Sequence, residues 1–445
     1  MLLIYAAGQP AHEILPLAGS PLEIGRGHAA FSGREDPKMS RLHAQISYRQ
    51  GRFEITDLGS RNGSALDGRP LVGSVCCEGQ RVLRLGQSLF LLCQDIGPYR
   101  ALGVKVQAGR VEGPLLQQAL RAVTRLAEHS YTLFVLGESG VGKESVAQAF
   151  HLAGPQQRGP FVAVNCATIP EGLAERLLFG AQKGAYSGAD KDSEGYVQAA
   201  HGGTLFLDEV ADLEPTVQAK LLRTLENREV LPLGATRPKR VDVRVCSATH
   251  KDLRGLAAAG TFRADLYFRL GMPQVLIPPL RKRLEEIPWL VAQAAAKVAP
   301  ELRIATSLVE ACLLRHWPGN VRELLAEVST AAVQALGSGA TLLSAEYLSP
   351  TAGTALASTA VSTSPQSPGL PNEPPAADPL QPAVAQATGA RRKPPSRAQI
   401  LAALFETQGN LAAAARALDL HRTQLRRYLH EYDIDLDRLR DLNKL

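Results

Sequence analysis

The chain has 445 residues, 45% hydrophobic and 21% charged, with a net charge of +6. This is the profile of a globular protein of two to four domains with sizeable cores. Its six cysteines, Cys76, Cys77, Cys93, Cys166, Cys246 and Cys312, form no C-x-x-C pair, which argues against a disulfide framework or a cysteine zinc site and for reduced thiols. No apolar run approaches the ~20 residues of a membrane helix, and the opening MLLIYAAGQP lacks the basic segment of a secretory leader. The expectation is a cytoplasmic protein with no membrane partner.

Residues 1–97 hold short strand-like runs, among them Arg41–Tyr48, Arg52–Ile55 and Arg81–Leu92, broken by Gly, Ser, Asp and Asn. They predict a small all-β domain. A connector, 98–113, follows. From Pro114 the pattern changes. An amphipathic helix (Leu115–Ala127) leads to an apolar run (Tyr131–Leu136), a Gly-rich loop and a helix (Gly142–His151). Further strand-like runs at Phe161–Asn165, Thr204–Leu207 and Val241–Ala248 alternate with helical stretches, which predicts a parallel sheet in an α/β domain over 114–348. From Ile287 to Leu348 the periodicity is helical only, so a helical subdomain closes that domain. Residues 349–395 are rich in Pro, Ala, Ser and Thr and read as a disordered linker. The last unit, 396–445, reads as helices at Ser396–Thr407, Leu411–Leu418 and Arg422–Glu431.

Gly137-Glu138-Ser139-Gly140-Val141-Gly142-Lys143 matches G-x-x-x-x-G-K between a strand and a helix, the context a phosphate-binding loop requires. Its backbone N–H groups and the helix N-terminus suit nucleotide phosphates, and Lys143 would reach the β- and γ-phosphates. The next residue is Glu144, where a Ser or Thr usually ligates Mg²⁺. Either Asp208 and water hold the metal, or Glu144 takes another role. Leu205–Glu209 is an apolar strand ending in two carboxylates: Asp208 to organise Mg²⁺ and Glu209 to polarise the attacking water. Arg263 and Arg269 are candidates for arginine fingers acting on a neighbouring subunit, and Arg322 for sensing the nucleotide from the helical subdomain. Each reads equally as a surface ion-pair partner. Between these elements lies Gly184-Ala185-Tyr186-Ser187-Gly188-Ala189. It holds no acid, base or metal ligand, and reads as a loop tip that pushes on a partner as ATP is hydrolysed.

Read together, GESGVGKE, FVAVNCATIPEGL, KGAYSGA, GGTLFLDEV, KLLRTLENREV, VDVRVCSATHKDL, FRADLYFRL, IPPLRKRLEEIP and WPGNVREL resemble, in order, the AAA+ domain of bacterial enhancer-binding proteins, the activators of sigma-54 RNA polymerase. The resemblance implies that Glu144 is ordinary there, that Asn165 is a switch coupled to Glu209, that Thr249 belongs to the first sensor and that Gly184–Ala189 contacts sigma-54. Three departures stand out. The loop is GAYSGA where the family usually has GAFTGA, so Tyr186 adds a polar tip and Ser187 loses a methyl. Gln182 replaces the usual Glu, and His250 the usual Asn.

At the front, Gly25-Arg26, Ser40-Arg41-Leu42-His43 and Ser60-Arg61-Asn62-Gly63 resemble the forkhead-associated (FHA) domain, a β-sandwich whose loops bind phosphothreonine peptides. Carried over, Arg26, Ser40, Arg41 and Asn62 contact phosphate or peptide, and Arg61 helps; guanidiniums and a hydroxyl suit a dianion. His43 and Gly63 are expected to hold the loops. At the back, NLAAAARALDLHRTQLRRYLHEYDI resembles the Fis-type helix-turn-helix, which would set Arg422, Thr423, Gln424, Arg426 and Arg427 in the major groove.

The fold expected is multidomain: an all-β FHA-like sandwich, an α/β AAA+ P-loop domain with an α-helical lid, and an all-α helix-turn-helix. The function expected is an ATP- and Mg²⁺-dependent activator of the sigma-54 RNA polymerase holoenzyme. It would bind upstream enhancer DNA, work as a homo-hexameric ring and take its signal from a phosphothreonine protein, such as a Ser/Thr kinase or its product. One alternative is a DNA-binding regulator or repressor that keeps the ATPase without activating sigma-54. A generic AAA+ remodeller leaves the helix-turn-helix unexplained.

Overall fold

The computed structural model describes residues 1–17, 20–31, 35–107, 109–186 and 189–355. The helix-turn-helix with the five residues expected to contact DNA, most of the linker, and Ser187 and Gly188 of the loop lie outside the described residues.

The N-terminal domain is a sandwich of two antiparallel sheets. Its strands are β1 (Leu2–Ala6), β2 (Gln9–Ile14), β3 (Leu22–Ile24), β4 (Ala44–Arg49), β5 (Arg52–Asp57), β6 (Ser64–Leu66), β7 (Arg69–Pro70), β8 (Ser74–Glu78), β9 (Arg81–Leu85) and β10 (Ser88–Leu92). One sheet runs β2-β1-β10-β9-β6-β7 and the other β3-β4-β5-β8. The Arg81–Leu92 run is thus a hairpin, turned at Gly86 with φ +61°, which only a residue without Cβ adopts easily. Side chains alternate across a strand. On β10, Phe90 and Leu92 face the sandwich core with Phe31, Ile46, Phe53 and Ile55. Leu89 and Leu91 face the other way, yet are equally buried.

What covers that outer face comes from far along the chain. The connector forms α1 (Gly97–Ala101) and a hairpin, β11 (Lys105–Gln107) with β12 (Arg110–Glu112). Then come α2 (Pro114–Ala127), β13 (Thr132–Leu136), α3 (Lys143–Leu152), β14 (Phe161–Asn165), α4 (Ala174–Phe179), α5 (Tyr196–Ala199), β15 (Thr204–Asp208) and α6 (Pro215–Asn227). A small hairpin of β16 (Glu229–Val230) and β17 (Lys239–Arg240) precedes β18 (Arg244–Thr249), α7 (Leu253–Ala258), α8 (Ala264–Leu270) and β19 (Gln274–Leu276). The lid is α9 (Ile287–Val298), β20 (Arg303–Ile304), α10 (Thr306–Leu314), α11 (Asn320–Gly337) and β21 (Leu342–Leu343). Lid residues Leu290, Val291, Leu308, Val309 and Cys312 share one core with Leu2, Ile4, Tyr5, Leu89 and Leu91 of the sandwich. Fully burying one such aliphatic side chain stabilises by about 1.5–3 kcal/mol, so this joint is a core rather than a tether. Polar contacts pin its edge. Tyr5 Oη donates to Ile304 O at 2.7 Å, Thr306 Oγ1 to Gln87 O at 2.8 Å, and Arg84 pairs with Glu310 at 2.9 Å.

The central sheet is parallel, in the order β14-β15-β18-β13-β19. Leu133 and Val135 face α2 and α3, packing with Val123, Val146 and Phe150. Phe134 faces the opposite layer with Leu205, Leu207, Leu221 and Leu266. Arg244 is fully buried beneath α3. Its Nη1 donates to Phe150 O, its Nη2 donates to Ala127 O and Ser130 O, and its guanidinium lies 3.9 Å from the Phe150 ring centroid. A Cβ on Gly154 would sit 1.5 Å from Nη1, so a side chain there would displace the Arg244 guanidinium from these bonds. Lid packing runs past the expected linker start at 349. Arg315 donates to Ser349 O and Ala352 O, and Gly353 packs on the buried Trp317.

Candidate functional site

The sheet order places β15, β18 and β13 side by side with their carboxyl ends together, in register Leu136↔Thr249. That is where an open parallel sheet collects its chemistry. Gly140 and Gly142 take φ +75° and +102° to wind the loop after β13. Lys143, first residue of α3, is 6% exposed. Its Nζ donates to Gly137 O at 3.2 Å and to Glu209 Oε1 at 2.9 Å, and lies 4.0 Å from Asp208 Oδ1. Glu209 sits at φ +51°, a left-handed conformation that costs free energy in a non-glycine residue and recurs at functional sites. Its other oxygen accepts from Thr249 Oγ1 at 3.0 Å and from the His250 backbone N–H at 3.3 Å, with His250 Nδ1 at 2.9 Å. Burial works to raise the Glu209 carboxyl, but the hydrogen bond and charge of Lys143, with His250, hold it below its ordinary value. Asp208 goes the other way: burial raises it, Lys143 pulls it down, and Glu209 pushes it up.

Among the described residues no hydrogen bond joins Asn165 to Glu209. Asn165 stands opposite Asp208 in the β14–β15 register, and its Oδ1 accepts from Ala167 N–H at 3.0 Å. Glu144 is exposed in the first turn of α3. Ser139 offers its carbonyl to Asn320, and Val141 offers its own to Arg283. Arg263 and Arg269 are exposed on and beside α8. The first forms an ion pair with Asp265, the second donates to Leu225 O. Neither bonds to Lys143, Asp208 or Glu209 among the described residues.

Sequence reasoning missed the clamp on the phosphate loop. Glu138 takes both amino groups of Arg281, at 2.7 and 2.6 Å, and the Asn320 amide at 3.1 Å. The Arg281 hydrogen bonds hold the Glu138 carboxyl below its ordinary value. Asn320 Oδ1 in turn accepts from Leu280 N–H. The lid presses on the loop here: a Cβ on Gly140 would fall 2.1 Å from Gly319 O. Arg322 N–H donates to Gly140 O at 3.3 Å, and its side-chain charge reaches Asp208. Beside the loop, a cavity of about 200 Å³ is lined by Val111, Leu116, Leu120, Val146, Leu290 and Leu325. The buried pair Arg283–Glu286, at 2.9 Å, also lines it.

The described part of the 184–189 loop is tied at its base, with Gly184 N–H donating to Ala189 O at 2.9 Å. The Tyr186 hydroxyl accepts from Arg176 Nη1 at 2.9 Å, and the guanidinium lies 5.3 Å from the ring centroid. A phenylalanine cannot make the first of these contacts.

At the tip of the sandwich the predicted loop residues converge. Arg26 Nε donates to Met39 O and Nη2 to Pro37 O, both at 3.0 Å. Ser40 Oγ accepts from Arg61 N–H at 3.1 Å, and Asn62 Nδ2 donates to Lys38 O at 2.7 Å. The Arg41 and Arg61 side chains are exposed. His43 is buried, with Nδ1 accepting from Ser40 N–H and Nε2 facing Gly63 O. Burial lowers its pKa, so it holds the loops as a neutral ring. A Cβ on Gly25 would lie 1.8 Å from Arg41 O, which fixes glycine before Arg26.

This architecture, a β-sandwich joined to a parallel-sheet domain, agrees with the family models. Residues 110–276 match the sigma-54 interaction domain. The chain carries a sigma-54 interaction domain. Residues 22–86 match the FHA domain and 396–432 the Fis family of bacterial regulatory proteins. The central domain is therefore an AAA+ ATPase domain on a P-loop fold, set between an FHA domain and a helix-turn-helix. Among relatives, the transcriptional regulatory protein ZraR of Klebsiella oxytoca is 39% identical over 71% of this chain and 66% of its own length. The acetoin catabolism regulatory protein of Cupriavidus necator is 40% identical over 73% and 47%. The Nif-specific regulatory protein of Herbaspirillum seropedicae is 44% identical over 47% and 40%. The chain thus spans about half the length of the curated relatives it matches. Among solved structures, NtrX from Brucella abortus is 29% identical with a TM-score of 0.52, over 72% of this chain and 68% of that one. The same protein has been solved with ATP (29% identical, TM-score 0.50, 74% and 69% covered).

Proposed function

We propose that the protein is an ATP-driven activator of sigma-54 RNA polymerase. It binds upstream DNA through Arg422, Thr423, Gln424, Arg426 and Arg427, and is governed by phosphothreonine recognition at Arg26, Ser40, Arg41, Arg61 and Asn62. The observation that carries the reading is the Lys143–Glu209–Thr249–His250 cluster at the mouth of the phosphate loop. In this reading the 200 Å³ cavity takes the adenine base, and the loop N–H groups and Lys143 take the phosphates. Glu209, held ionised by Lys143, Thr249 and His250, aligns and deprotonates the attacking water. Mg²⁺ fits the site as an ion held mainly by phosphate and water, as this metal prefers: Asp208 is the acid placed for it, and no larger acidic cluster occurs among the described residues. It would neutralise charge on the phosphates.

Arg263 and Arg269, exposed and away from this chain's own cluster, suit arginine fingers in a homo-hexameric ring. In this reading Arg322 reports the nucleotide to the lid, and the Gly184–Ala189 loop bears on sigma-54. The test is ATP-dependent open-complex formation on a sigma-54 promoter. Wild type forms open complexes, while Ser187→Ala and Glu209→Ala do not. An intact ATPase with no open complexes from wild type would replace this reading with a DNA-binding regulator that does not activate.

A further inference from the structure

The phosphate-reading loops do not end at open solvent. A cleft of about 700 Å³ lies between the sandwich tip and the lid. Lys38 and Asn62 line it from the sandwich, and Arg303 and Ser307 from the lid. Asn62 is one of the residues that would touch a bound peptide. Its amide gives one hydrogen to Lys38 O, which leaves the other hydrogen and Oδ1 for a peptide backbone. The two walls are tied together by the Arg84–Glu310 ion pair and the Thr306–Gln87 hydrogen bond, so the cleft is a fixed feature rather than a gap between tethered modules. Around it, Lys38, Arg84 and Arg303 face Glu35 and Glu310: three cations against two carboxylates leave one net positive charge. The Arg84 and Glu310 charges satisfy each other, while Lys38, Arg303 and Glu35 are exposed.

We propose that this cleft continues the phosphopeptide groove onto the ATPase lid. The occupant is the chain flanking the phosphothreonine, and Arg303 pairs with an acidic residue of that flank. The inference rests on the phosphothreonine reading above, and it makes the lid part of the recognition surface. The partner is then a phosphothreonine segment with Asp or Glu within a few residues of the phosphate. A phosphothreonine alone would use only half the surface.

The test uses the full chain and a pool of synthetic phosphothreonine peptides degenerate at the flanking positions, with an unphosphorylated pool as control. Wild type should capture the phosphorylated pool and enrich Asp and Glu in the flanks. Arg41→Ala should lose capture altogether. Arg303→Glu, which removes the ion pair and adds repulsion, should bind more than about fivefold more weakly, fivefold being the size of one good exposed ion pair, and lose the acidic enrichment while still preferring phosphorylated peptide. Arg303→Gln, which removes the charge without reversing it, should fall between. If wild type ignores phosphorylation, the phosphothreonine reading and this inference both fall. If phosphorylation is read and Arg41→Ala abolishes binding, but Arg303→Glu keeps wild-type affinity and flank preference, the lid has no part and only this inference is overturned.

Discussion

The two anion sites of this molecule are built on opposite plans. At the sheet end, Lys143 is buried and clamped between Gly137 O and Glu209, and the lid holds the loop around it through Arg281 and Asn320. At the sandwich tip, Arg26 braces two backbone carbonyls, while Arg41 and Arg61 stay in solvent. The first site is positioned by strands and built for turnover, where charge must be in place before the reaction. The second is positioned by loops and, on the reading proposed above, serves capture, where exposed guanidiniums suit a dianion.

The sharpest way to break this comparison is at Glu209. Glu209→Gln should lower ATP hydrolysis by about 10²–10⁴-fold, the range of a lost general base, with nucleotide binding retained, as read by steady-state hydrolysis and nucleotide titration. A smaller effect separates two arginines that the sequence treats alike. Arg26→Ala should destabilise the sandwich by about 1 kcal/mol, because two loop carbonyls lose a charged donor that solvent replaces only in part. Arg41→Ala should leave stability within about 0.5 kcal/mol of wild type and abolish phosphopeptide capture. Denaturant melts of both variants give the answer, and equal losses of stability would erase the distinction.

The smallest effect lies at the seam between the two regions. Glu285 is buried beside Tyr99, and burial with the nearby Glu286 pushes its carboxyl to about 8. An acid whose pKa is raised by folding adds stability in full below its unfolded value, near 4.5, and that stability is lost as the pH rises towards 8. Glu285→Gln should therefore raise the melting temperature by a few degrees at pH 8.5 and by little at pH 5. An equal gain at both values would mean that the carboxyl is not protonated in the fold.

Legibility followed sequence distance. Gly137–Lys143, Asp208-Glu209 and the Ser40–His43 loop were readable because each motif supplies its own geometry within a few residues. The Glu138 clamp was not: Arg281 and Asn320 are 143 and 182 residues away, and a lone Arg or Asn has no local pattern. His250 stood out as a departure from the usual Asn, but only the fold shows its ring against Glu209. Asn165 is the converse case, where a motif placed a residue correctly at a strand end without fixing its partner. The double-sided burial of β10 had a signal that went unused: Ser88–Leu92 reads SLFLL, apolar at every position after the first, where a strand with one wet face would alternate.

That last strand bears on how this protein is taken apart. The outer sheet of the sandwich supplies Leu2, Ile4, Tyr5, Leu89 and Leu91 to the same core as the lid helices. Cutting the chain near residue 97 would therefore strip α9 and α10 of a wall and leave a sticky, half-folded ATPase. A truncation that behaves as inactive would say nothing about whether the FHA domain restrains or licenses the ATPase, and grafting a different domain onto this lid would require the grafted sheet to carry an apolar back of the same shape.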